Sequence, residues 1–97
     1  MVEIKEVIWT PIKPTPEGML GFASLLFGQL RLDSIAVFVM PNGDYRLSFP
    51  KKRLYHGADV QVFYPIDKET HEAIKNAIVS KIKEVNSNAF TDGGVTN

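Results

Sequence analysis

The sequence contains no cysteine, and this absence sets the first limits on the chemistry of the chain. Without thiols the chain forms no disulfide and no thiolate metal site. Its two histidines, His56 and His71, lie far apart in the sequence and belong to no HExxH motif. We therefore expect no dedicated metal site, since zinc sites use clustered Cys, His and carboxylate ligands.

The sequence also lacks an excess of one charge and any long apolar run. Its 11 basic and 11 acidic residues give a net charge of zero, whereas nucleic-acid-coating domains are normally plainly basic. No run approaches the roughly 18 apolar residues of a membrane span, and the acidic Glu3 and Glu6 do not fit a signal peptide. These features predict a cytoplasmic protein with no membrane partner, and they leave room only for a local nucleic-acid surface.

What is present fits one small globular domain, since 44% of the 97 residues are apolar. Alternating apolar residues predict five strands, at residues 2–12, 19–27, 30–40, 45–49 and 60–64. A slip of the pattern in the first strand predicts a bulge near Glu6. Gly28-Gln29 and Asn42-Gly43 predict tight turns, because Asn-Gly between alternating runs is a strong hairpin signal.

A single helix is predicted after the strands. Asp67 is a good N-cap, because its carboxylate can accept from the free amides of the first turn. The apolar residues then recur at three- and four-residue spacing as one stripe, at Ile74, Ala77, Ile78, Ile82 and Val85. The fold class is therefore α+β: a mostly antiparallel five-stranded meander followed by one C-terminal helix. We assign residues 1–86 to the domain and residues 87–97 to a flexible tail.

This arrangement also predicts a homodimer. One helix covers only one face of the sheet, but the third strand carries apolar residues on both faces. These are Ile35, Val37 and Val39 on one face and Ala36 and Phe38 on the other. Exposed apolar faces and open sheet edges are liabilities. We therefore expect a second copy on the sheet, with the helices on the outside of the dimer.

One concentrated charge stands out, the run Lys51-Lys52-Arg53 after Pro50. Because proline ends a ladder, the run is predicted to form a loop beside the sheet edge. Such a patch favours phosphates, and Tyr55 and His56 add rings that can stack on unpaired bases. Arg46, on the preceding strand, extends the patch. The alternative is a solvated loop without a ligand, because short basic runs are weak signals.

Catalytic motifs are not found. Ser24, Ser34 and Ser48 lie inside predicted strands without a nucleophile elbow, and the glycines at 18 and 21 lack the GK[ST] ending of a phosphate loop. His56 as a general base is the best remaining enzymatic option. We expect a protein that is not an enzyme, with no cofactor and no small-molecule substrate.

Several segments, taken in order, resemble one known family. They are Glu3-Ile4-Lys5-Glu6-Val7, the GMLGFAS segment of residues 18–24, Ser34-Ile35-Ala36-Val37, Asn42-Gly43, Phe49-Pro50-Lys51-Lys52, Gly57, and Tyr64-Pro65-Ile66 before a capped helix. Over about residues 2–85 the chain resembles the bacterial stage V sporulation protein G (SpoVG) family, the septation regulators. The combination of the Pro-x-Lys/Arg strand end with Pro-Ile before the helix is its most specific part.

The resemblance implies a homodimer that binds DNA and RNA, acts as a regulator of septation and sporulation, and uses no cofactor. The basic strand-end residues of the family correspond to Lys51, Lys52 and Arg53. The family's target preference is associated with the end of the helix, which here implies Lys81 and Lys83.

The chain also departs from the family pattern. The family often has arginines in the first strand where this chain has Ile8 and Pro11, and a basic residue where it has Ala36. With the neutral net charge, these differences favour a second hypothesis: a dimeric protein–protein interaction module without nucleic-acid affinity.

Overall fold

The computed structural model describes the backbone of residues 2–95 and the side chains of residues 2–86. Its elements, in chain order, are β1 (Ile4–Pro11), β2 (Met19–Phe27), β3 (Leu30–Val39), β4 (Tyr45–Ser48), β5 (Lys51–Arg53), β6 (Asp59–Gln61) and α1 (Lys68–Val95). The predicted α+β class with one C-terminal helix is confirmed for these residues.

Strands β1 to β4 form one antiparallel meander in the order β1-β2-β3-β4. The turns are those that the sequence predicts. Gly28 and Gln29 join β2 to β3, with Phe27 paired to Leu30, and Gly28 has a φ of 62°. Between β3 and β4 the amide of Gly43 donates to the carbonyl of Met40 at 2.8 Å. Gly43 has a φ of 87°, a left-handed value that glycine adopts at low cost.

Strand β1 carries the predicted bulge. Its register with β2 shifts between Lys5 and Ile8, and Glu6 has a φ of 50°. Further along, Gly21 of β2 pairs with Pro11. A Cβ at position 21 would clash with the backbone of β1 at the carbonyl oxygen of Thr10. The two strands therefore approach so closely at this point that only glycine fits.

The predicted five-stranded sheet is wrong, because the fifth strand does not join the meander. Residues 59–61 pair instead with residues 51–53 as a separate two-stranded sheet. The predicted basic loop is therefore strand β5. A turn explains the local pairing: the amide of Gly57 donates to the carbonyl of Leu54 at 2.9 Å. Pro50, which has no amide hydrogen, separates this hairpin from β4.

The helix begins where the sequence predicts. Asp67 is the N-cap: its Oδ1 accepts from the backbone amide of Thr70 at 2.8 Å, and its carbonyl accepts from the amide of His71. The predicted stripe faces the sheet, and Ile74, Ile78 and Ile82 are at most 2% exposed. Burial of this stripe provides most of the helix's stability, since isolated helices are marginal in water.

The helix continues past Asn86 to Val95. The predicted tail, residues 87–97, lies outside the residues whose side chains are described, and its flexibility stays a prediction. Within residues 2–95 no helix is both long and apolar enough to cross a membrane.

The two faces of the meander differ. One face packs against α1 and contains the fully buried Leu25, Ile35 and Val37. The opposite face, which we call the open face, carries the alternate residues of the same strands. On it Ile8 is 51% and Phe22 39% exposed. The expectation that one helix covers only one side is thus confirmed for the described residues.

Candidate nucleic-acid interface

The basic run forms strand β5 of the small hairpin. Lys51 pairs with Gln61, Lys52 with Val60 and Arg53 with Asp59, and the three cations are exposed. Because successive strand residues point to opposite faces, Lys51 and Arg53 share one face and Lys52 lies on the other. The hairpin therefore presents positive charge on both of its sides.

Arg53, the third cation of the run, forms an ion pair within the hairpin. The Nε of Arg53 donates to Oδ1 of Asp59 at 3.1 Å. Among the described residues, Lys51 and Lys52 form no such ion pair. These two lysines are therefore the cations best placed to meet a phosphate.

The tip of the hairpin carries the two predicted rings. Tyr55 is 101% exposed, and its ring centroid lies 5.2 Å from that of His56 at an interplanar angle of 34°. Gly57 has a φ of 92°, which allows the tight turn that brings the rings to the tip. An exposed pair of rings on the same hairpin as exposed cations has the composition of a single-strand binding surface.

Arg46 and Lys51 lie together at a cleft of about 340 Å³ beside the edge strand β4. The other polar residues that line this cleft are Ser48, Gln61, Tyr64 and His71. The ring of His71 contacts Phe49 edge-on, with centroids 6.1 Å apart, so this histidine packs at the start of the helix. The sequence does not identify His71 as a residue of this cleft, although its spacing of three residues before Ile74 places it next to the apolar stripe of the helix.

The guanidinium of Arg46 lies on the open face. Its Cζ is 4.5 Å from the ring centroid of Phe38, the residue with which Arg46 pairs across β3 and β4. This is a cation–π contact. Arg46 therefore links the cleft beside the hairpin to the open face of the sheet.

The helix lysines lie apart from this group. Nζ of Lys81 is 3.6 Å from Oε1 of Glu84. Lys81 also lines a different cleft, together with Lys5 and Glu6 of β1. Strand β1 is at the opposite edge of the sheet from β4. Lys83 is exposed. The structure thus brings Arg46 and Lys51 to one cleft, with Lys52 and Arg53 following Lys51 in β5, but it does not bring Lys81 to them.

Among the residues whose side chains are described, the pKa of one carboxyl departs from its ordinary value, and this carboxyl, Asp67, is the helix cap. Hydrogen bonds from the side chain and the backbone amide of Thr70 hold the pKa of Asp67 below its ordinary value. Hydrogen bonding to the ionised form has this effect. Among residues 2–86, whose side chains the structure describes, no group of three or more His, Asp or Glu is placed to hold a metal ion.

Comparison with models of known protein families finds no match for this chain, and comparison with curated proteins finds none either.

Proposed function

We propose that this protein is a cytoplasmic, non-enzymatic regulator that binds DNA or RNA through the β5–β6 hairpin. Lys51 and Lys52 contact phosphates, Arg53 adds a weaker contact, and Tyr55 and His56 stack on unpaired bases. The regulatory role rests on the resemblance to the SpoVG family. The assignment of phosphate and base contacts rests on the residues that the hairpin exposes.

The observation that carries the proposal is the exposure of three cations and two rings on one small hairpin. An unsupported two-stranded hairpin is marginally stable, and three adjacent cations add repulsion within the strand. A polyanion removes that repulsion and releases condensed counterions. The positive charge is therefore concentrated on the hairpin. For this reason a chain with no net charge can still carry a surface that binds phosphates.

The experiment is a salt titration of binding to a labelled duplex DNA, comparing wild type with a Lys51→Ala/Lys52→Ala variant. With about three phosphate contacts per protomer, the logarithm of the affinity should fall with the logarithm of the salt concentration at a slope near −3. The double variant should reduce this slope by about 2 and weaken binding to all sequences alike, because phosphate contacts carry no sequence information.

The matched control is Lys13→Ala/Lys68→Ala, which removes two exposed lysines outside the hairpin. This variant should bind with nearly the wild-type slope. Equal losses in the two variants would mean that net charge, not the hairpin, determines affinity. Unchanged binding in the hairpin variant would refute the assignment.

The second candidate is a protein–protein interaction module without nucleic-acid affinity. It is favoured by exposed apolar residues near the start of the helix, among which Ile66 is 89% exposed. Patches of this kind often mark protein interfaces. Both candidates include a homodimer, and the absence of any bound nucleic acid in the salt titration would favour this second one.

A further inference from the structure

The open face of the sheet has the form of a base-stacking platform. Phe22 lies on β2 and Phe38 on β3, the two central strands. Phe22 pairs with Ala36, and Phe38 stands two residues further along β3 on the same face. The two positions are diagonal neighbours on one face, and a register shift between Met19 and Gly21 places Met19 opposite Phe38. Two flat groups can therefore be contacted in succession by one ligand.

The two positions offer different stacking surfaces. Phe22 is 39% exposed and carries no guanidinium contact among the described residues. The ring of Phe38 is covered by the guanidinium of Arg46, whose Cζ lies 4.5 Å from the ring centroid. Bases stack on aromatic rings and on guanidinium planes alike. An open face on a four-stranded antiparallel sheet, with flat groups on its central strands, is a common arrangement for binding unpaired bases.

Charge favours a polyanion over a second copy of the chain as the occupant of this face. A copy docked face to face would present the same side chains, so a buried Arg46 would need a carboxylate across the interface. Glu6, at the far end of the sheet, already pairs with Arg31 at 3.1 Å. A buried charge without a partner is costly. A nucleic-acid strand would instead supply phosphates to Arg46 and to Lys51, which lines the same cleft.

We propose that the open face binds unpaired bases of single-stranded nucleic acid, with one base on Phe22 and the next on the Arg46–Phe38 pair. The strand then runs past the cleft to the basic hairpin. This inference rests on the proposed function and narrows its ligand from nucleic acid in general to single strands. A duplex, whose bases are already stacked, uses the hairpin cations alone.

The test measures binding of a short labelled single-stranded DNA of mixed sequence, the matching RNA and the matching duplex. Phe22→Leu keeps an apolar side chain but removes the ring. It should lower single-strand affinity about fivefold to a hundredfold, the expected loss for one stacked base, and leave duplex affinity unchanged. Phe22→Tyr, which keeps a ring, should retain single-strand binding and shows that the site tolerates substitution.

Arg46→Lys is the second variant, because it keeps the charge but removes the planar group. It should weaken single-strand binding and change duplex binding little. Suppose that Phe22→Leu and Arg46→Lys bind single strands as wild type does, while Lys51→Ala/Lys52→Ala weakens the binding of single strands and of the duplex. The inference about the open face then fails and the proposed function stands. If the wild type binds none of the three ligands, both fail.

Discussion

Arg53 and Asp59 face each other across the β5–β6 hairpin, with Nε of the arginine 3.1 Å from Oδ1 of the aspartate. Both side chains are largely exposed, so the pair adds little to stability. Its main effect is on the electrostatic potential: the carboxylate offsets one of the three adjacent cations. In the proposed complex, Asp59 therefore competes with a phosphate for Arg53.

The first prediction follows from this competition. Asp59→Asn should raise affinity for duplex DNA and make the salt dependence somewhat steeper than the wild-type slope near −3, because the carboxylate no longer competes with a phosphate for Arg53, the weakest of the three contacts. The measurement is a fluorescence-anisotropy titration at several salt concentrations. Glu17→Gln, which removes one exposed negative charge in the turn before β2, is the matched control. If Asp59→Asn and Glu17→Gln bind duplex DNA equally well, the ion pair between Arg53 and Asp59 has no specific effect on binding.

The second prediction concerns the core between sheet and helix. Ile78 is 0% exposed, so Ile78→Ala should leave a cavity and lower the free energy of unfolding by about 2–5 kcal/mol. The same substitution at the half-exposed Ile8 should cost about 1 kcal/mol or less, since less apolar area is lost. Urea denaturation followed by circular dichroism compares the two. Similar losses of unfolding free energy in Ile78→Ala and Ile8→Ala would contradict the packing of the helix against the sheet.

The third prediction uses the lowered pKa of Asp67. A carboxyl whose folded-state pKa lies below its ordinary value stabilises the fold at neutral pH. That stability is lost as pH falls through the ordinary aspartate value, about 3.9, toward the folded-state pKa. Asp67→Ala should therefore melt below wild type at pH 7, and the gap should shrink as the solution is acidified.

Asp67→Asn provides the control, because asparagine also caps helices but does not titrate. Its advantage over Asp67→Ala should persist in acid. Thermal melts of the three proteins across this pH range test the cap. A gap between wild type and Asp67→Ala that stays constant with pH would mean that the carboxylate charge is not what stabilises the helix start.

The four-stranded meander could be predicted from the sequence because its determinants are local. Gly43 and Gly28 stand where the chain must turn, and the alternation of buried residues such as Ile35 and Val37 sets the faces. The bulge at Glu6 was likewise visible as a slip in that alternation. The hairpin was not: β5 and β6 are three residues each and contain no buried residue, so no buried apolar side chain determines which strand pairs with residues 59–61.

The candidate interface could be predicted only as a set of residue types. The sequence indicates the cations Lys51 to Arg53 and the rings at 55 and 56, since they are adjacent in the chain. It does not indicate that Asp59 lies opposite Arg53, or that Arg46 covers Phe38. Those relationships depend on strand register, which is fixed by turn geometry and packing over the whole sheet.

An apolar groove of about 410 Å³ lies where the end of the β2–β3 hairpin meets the segment before the helix. Leu30, at 63% exposure, and Ile66, at 89%, are its most exposed walls. The groove also contains Val2, Phe27, Leu32 and Phe63. A two-fold partner would present the same walls and bury both sets at once.

The last prediction is that the proposed homodimer uses this groove and not the sheet face expected from the sequence. Each buried apolar side chain of this size contributes roughly 1.5–3 kcal/mol, so a few on each side are sufficient for micromolar association. Ile66→Glu should convert the dimer to a monomer in light scattering, because it places a charge in the apolar contact. Ile8→Glu, on the open face, should leave the dimer intact. A dimer that Ile8→Glu dissociates and Ile66→Glu does not would place the second copy on the open face, which would also refute base stacking there.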